Sequence, residues 1–129
     1  MTPRELKDKT KNFALRILKL TDSLPNTRAA NVVANQILRS STSVGSNYRS
    51  ACRARSKADF ISKITIVEEE ADETLFWPEI IHESGMIKFN RLQSLMTEAN
   101  ELVAIFTSSG KTAKINNPKP AIRNPKLNK

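Results

Sequence analysis

Little in this chain suggests covalent or metal chemistry. Its 129 residues include one cysteine, one histidine and three glycines, and aromatic side chains make up 5%. A single cysteine, Cys52, cannot close an internal disulfide, so nothing points to an oxidising compartment. Scarce glycine and few aromatics argue against a sandwich or barrel built from many tight turns. No stretch approaches the ~20 apolar residues of a membrane span. The charged opening, Met1-Thr2-Pro3-Arg4-Glu5-Leu6-Lys7, has no apolar core of the secretory type, so the expected address is cytoplasmic. What is present is 39% hydrophobic and 26% charged residues, enough for one soluble domain. Lys and Arg total 21 against 13 Asp and Glu, a net charge of +8 that favours polyanionic partners.

Apolar spacing predicts four helices. In the first, about Glu5 to Leu24, Phe13, Ile17, Leu20 and Leu24 share one stripe, and Pro25 ends it. Leu15 and Leu18 lie well round from that stripe and suggest a second buried side. Asn26 or Thr27 caps a second helix, Arg28 to Ala54, with Val33, Ile37, Val44, Tyr48 and Ala51 inward. Its middle is small and polar, and Gly45 suggests close approach of a neighbouring helix. Ser56 and Asp59 resemble a capping box for a third helix running to Ser84, with Phe60, Ile64, Val67, Ala71 and Leu75 as core and Gly85 as its stop. Pro78 stands in the core register and predicts a kink. Asn90 with Gln93 opens the fourth, where Leu92, Leu95, Met96, Ala99, Leu102, Val103 and Phe106 keep the period. Short links favour antiparallel neighbours. The expected fold is therefore an all-α, up-down-up-down four-helix bundle over residues 1–108, followed by a flexible basic C-terminal tail over 109–129.

Charge is distributed unevenly along this frame. Residues 28–57 carry +6 and 58–87 carry −7, while the tail carries another +6. At about 100° per residue, Arg28, Arg39, Arg49, Arg53 and Lys57 fall in one sector opposite Ile37, Val44 and Tyr48, together with Asn35, Thr42 and Ser46. Arginine forks match phosphate oxygens, which makes this stripe the candidate nucleic-acid contact. Two blander readings stand beside it: a solvated face, or arginines paired with the acidic third helix. No aromatic lies in the stripe, which argues against base-stacking readout. On the third helix, Ile66, Glu70, Glu73 and Trp77 form a second, mixed face suited to a subunit contact, with Trp77 as anchor.

Catalytic and metal motifs do not assemble. Glu79-Ile80-Ile81-His82 has the E-x-x-H spacing of di-iron bundles, but a second motif is lacking and no acid occurs between Asp22 and Asp59. Cys52 reads as a buried, inert thiol. The acids Glu68, Glu69, Glu70, Asp72 and Glu73 spread round their helix instead of converging. There is no Gly-rich phosphate loop and no nucleophile elbow. No catalytic residue, cofactor or metal is expected.

The run Gln36-Ile37-Leu38-Arg39-Ser40-Ser41-Thr42-Ser43-Val44-Gly45-Ser46-Asn47-Tyr48 resembles the second-helix signature of the bacterial four-helix-bundle proteins known as 23S rRNA intervening-sequence proteins, or the S23 family. Asp59-Phe60-Ile61-Ser62-Lys63, Glu70-Ala71-Asp72-Glu73-Thr74-Leu75-Phe76-Trp77 and Ser84-Gly85-Met86-Ile87 resemble the motifs that follow it, in the same order. Pro78 departs from the pattern, which usually has an apolar residue after the tryptophan. The resemblance implies a left-handed bundle assembling as a ring-like homo-oligomer, commonly a pentamer. Some members are encoded within insertions of ribosomal RNA genes, and retroelement relatives bind nucleic acid and a reverse transcriptase. The expected function is thus a non-enzymatic oligomeric bundle that binds RNA or another nucleic acid. The alternative is an assembly scaffold with a protein partner and no direct nucleic-acid contact.

Overall fold

The computed structural model describes residues 1–115, which form α1 (Pro3–Thr21), α2 (Arg28–Cys52), α3 (Lys57–Glu83) and α4 (Phe89–Ile115). Each helix packs on the next, and α1 also touches α4, closing an antiparallel up-down-up-down bundle. Its centre is mainly apolar: Phe13, Ile17, Ile37, Val44, Ile64, Val67, Ile81, Leu92, Leu102 and Phe106 have no exposed surface.

The helix ends follow local chemistry. Thr2 accepts from the Glu5 backbone N–H at 3.1 Å, and the Glu5 carboxylate accepts from the Thr2 N–H at 2.7 Å. This capping box with Pro3 at the first helical position starts α1 two residues earlier than the apolar pattern suggested. The α1 end comes earlier as well, at Thr21. Ser23 and Leu24 donate to Leu20 and Thr21 in a tightened last turn, because Pro25 disfavours helical geometry at the residue before it. Thr27 is the cap of α2, which ends at Cys52; Lys57 therefore belongs to α3 and not to the second-helix stripe. At the end of α3, Gly85 takes φ +77 and Met86 donates back to Ile81, a Schellman stop. Phe89 opens α4, so Asn90 lies inside the first turn.

Three core expectations change. Leu15 and Leu18 are 53% and 45% exposed, so α1 has a single buried side within this chain. The α3 stripe passes through Ile64, Val67, Ala71, Thr74, Pro78 and Ile81, leaving Phe60 and Leu75 half-buried. Pro78 is buried, in keeping with its core register, inside a helix that runs on to Glu83. Lastly, α4 passes the expected boundary at residue 108: Phe106 and Gly110 are buried and Ala113 is half-buried, so the inward stripe continues with small residues. The expected tail falls, from residue 116 onward, outside the described residues.

Ser40 and Ser41, in the polar middle of α2, are buried with their hydroxyls bonded. Ser40 donates to the Gln36 carbonyl at 3.1 Å and Ser41 to Leu38 at 3.3 Å, while Thr10 on α1 donates to Leu6 at 3.0 Å. Gly45 faces Thr10, yet an added methyl would lie 3.4 Å from its Oγ1, an ordinary contact. Close approach therefore does not require glycine there. Gly45→Ala should stabilise the fold by up to about 1 kcal/mol through helix propensity. Urea denaturation checks this, and a lower midpoint would show that the α1–α2 spacing is tighter than its contacts imply.

Candidate nucleic-acid interface

The five-residue stripe does not survive as one surface. Arg28, at the first turn of α2, lies about 32 Å along the axis from Arg49. Arg39 reaches across to α3, where its guanidinium donates to Glu70 at 3.1 Å and to Glu73 at 2.7 Å. The hydrogen bond to Glu73 is the chief cause holding its pKa above the ordinary arginine value. Of the readings weighed from sequence, pairing with the acidic helix is therefore the correct one for Arg39. At this exposed position the pair adds little stability. Lys57 opens α3 and lines a different cleft.

Arg49 behaves differently because of its angle, and Arg53 because it lies at the C-cap, past the end of α2. Arg49 is ten residues from Arg39, about 80° round the helix, and so faces α1 instead of α3. There the two arginines join Lys7 and Lys11 of α1 around a groove of about 350 Å³, floored by Thr10, Ala14 and Gly45. No carboxylate among the described residues lines it. None of the four cations forms an ion pair among those residues. Lys7 and Lys11 were missed in the sequence because they lie on another helix. Their i, i+4 spacing on the side of α1 away from Phe13 was the available signal.

The same end of the bundle gathers the start of α1, the end of α2, the start of α3 and the last turns of α4. Beside the groove is a wider, mainly apolar cleft of about 730 Å³, lined by Tyr48, Cys52, Phe60 and Ala113 with Lys7, Arg55 and Lys57. Lys7 is common to groove and cleft. Cys52, expected buried, is exposed here because it closes α2. Burial, then a hydrogen bond with Cys52, pushes the Tyr48 phenol well above its ordinary pKa, so it stays protonated. Asp59, the nearby acid, accepts from the Arg55 N–H at 3.0 Å and from Lys63 at 3.2 Å. The backbone bond is the main reason its carboxyl titrates below the usual range.

The candidate subunit face on α3 is also divided. Glu70 and Glu73 hold Arg39 inside the chain. Trp77 is half-buried against the core, 3.4 Å through Nε1 from Glu73 and edge-on to Phe76 at 4.9 Å. Ile66 and Phe76 stay exposed. His82 is an exposed helix-end residue whose ring lies 4.6 Å from Phe89. Among the described residues no group of three His, Cys, Asp or Glu side chains could hold a metal ion. No helix among them is long and apolar enough to cross a membrane.

Comparison with known proteins agrees with this architecture. A family model described as 23S rRNA-intervening sequence protein matches residues 4–108. Among solved structures, a crystal structure of a protein with unknown function from the S23 ribosomal protein family of Bacteroides thetaiotaomicron VPI-5482 is similar. It shares 39% identity at a TM-score of 0.75, covering 81% of this chain and 97% of that one. No curated protein matches the chain.

Proposed function

Because the chain belongs to the family of 23S rRNA-intervening sequence proteins, we propose that it is a non-catalytic RNA-binding bundle whose α1–α2 groove tracks the phosphate backbone. One observation carries the reading: Lys7, Lys11, Arg49 and Arg53 line a single groove whose lining includes no carboxylate among the described residues. Arg28, Arg39 and Lys57 are outside this contact. Homo-oligomerisation, as the family resemblance implies, would repeat the groove and raise avidity without any new contact.

Four phosphate contacts on a single strand correspond to a log–log salt slope of about −3, or roughly 50-fold weaker binding between 50 and 200 mM salt. Fluorescence anisotropy of a labelled RNA across that range measures the slope. Binding indifferent to salt, or absent at 50 mM, would refute the reading.

A second reading is favoured by the exposed apolar residues Leu15 and Leu18 on α1 and Ile66 and Phe76 on α3, which suit contacts with further copies or another protein. Under that reading the chain is a scaffold, and RNA retention fails even at low salt while a discrete assembly persists in light scattering.

A further inference from the structure

We propose that the cleft beside the groove is a nucleobase pocket, taking one unstacked base of single-stranded RNA while the neighbouring phosphates lie along the α1–α2 groove. The inference rests on the groove reading and extends it from phosphate tracking to recognition of strand state.

The sequence argued against base stacking, because the arginine stripe holds no aromatic residue. The fold supplies what the stripe lacks. Tyr48 comes from the inward side of α2 and Phe60 from the first turn of α3, and both line a cleft whose wall is mainly apolar. Phe60 is half-buried and so presents part of its ring, while Tyr48 is backed by the Phe106 ring at 5.5 Å. The volume, about 730 Å³, falls within the ~300–1,000 Å³ typical of small-ligand sites.

Charge decides between occupants. Lys7 and Arg55 line the cleft, so its ligand should combine a flat apolar body with an anionic edge. The chain's own segment beyond Ile115 has the wrong sign, carrying four cations and no acid. A nucleotide has the right one. Lys7 also explains why the two sites would act together, because it lines groove and cleft alike and one phosphate there would serve both. A base in a duplex is paired and stacked and would have to leave the helix first, so the pocket favours single strands.

Cys52 makes the idea directly testable, since the chain's single thiol is exposed and lines the cleft. In the unmodified full chain at low salt, saturating single-stranded RNA should slow thiol alkylation several-fold. Inorganic polyphosphate, which offers phosphates without bases, should bind the groove and leave the alkylation rate unchanged. Phe60→Leu keeps apolar bulk but removes the ring. It should weaken single-stranded RNA roughly 5- to 150-fold, as loss of one stacked base does, and leave duplex RNA within about twofold.

RNA that binds without shielding Cys52 would overturn the pocket and leave the groove standing. So would polyphosphate that shields it equally, or a Phe60→Leu loss shared equally by duplex. A thiol shielded in the free chain and released by truncation after Ile115 would assign the cleft to the chain's own terminal segment instead. Failure of all RNA to bind at low salt would remove groove and pocket together.

Discussion

Reversing two charges across the groove, Lys11→Glu with Arg49→Glu, should weaken RNA binding by roughly 100-fold at 50 mM salt and flatten the salt slope from about −3 to about −1.4. The two residues come from different helices, and both are exposed and without an ion-pair partner among the described residues. Replacing them removes two phosphate contacts and puts carboxylates against the remaining two. The fold should tolerate the change. Arg49 stands in the last turn of α2, where the helix dipole favours a cation, so its reversal costs about 0.3–1 kcal/mol. Arg39→Ala is the decisive comparison. Its guanidinium is held by Glu70 and Glu73, so its removal should change affinity by less than about twofold, as expected for an exposed pair outside the site. Anisotropy titrations of the three proteins separate two geometries. Equal losses for Arg39→Ala and the double variant would restore the second-helix stripe as the contact. Loss only on removing residues 116–129 would move the contact to that segment.

The largest effect on stability is expected from Phe106→Ala. Phe106 has no exposed surface, and its ring packs at a tilt of 53° against Tyr48 across the core. Truncating a buried phenylalanine costs about 3–5 kcal/mol in transfer and cavity terms, a large part of the ~5–15 kcal/mol that a domain usually has. A fall in Tm of roughly 10–20 °C follows for a chain of this size. Leu15→Ala, at an exposed position of α1, should change stability by less than about 0.5 kcal/mol. Urea unfolding of both variants tests the single buried side of α1 and the depth of the core together. Because Phe106 backs Tyr48, the same substitution should also loosen the cleft. Faster alkylation of Cys52 at a temperature where the variant remains folded would report it.

Both predictions turn on a difference between two kinds of structural information. Apolar periodicity identified all four helices and most of the core, because burial of one face is recorded every three or four residues along the chain itself. Caps refined the ends where side chain and backbone meet within four residues, as at Ser56 and Asp59; the Thr2–Glu5 box was equally local and could have been read. The α4 extension was missed for a reason that is still local: Gly110 and Ala113 are inward but small, and a pattern read from large apolar residues stops at Phe106.

Which cations are available for a ligand is a different matter. Arg39 and Arg49 share a helix, a residue type and a solvent-facing sector, and nothing near either in the sequence separates them. The sequence by itself determined that the chain folds as a helical bundle with a basic second helix and an acidic third. Only the packed arrangement decided that one flank of α2 meets carboxylates while the other meets Lys7 and Lys11. The 80° between two side chains on one rod has no consequence until a neighbour of a given charge lies against each flank, and that neighbour is set by helix order and antiparallel register.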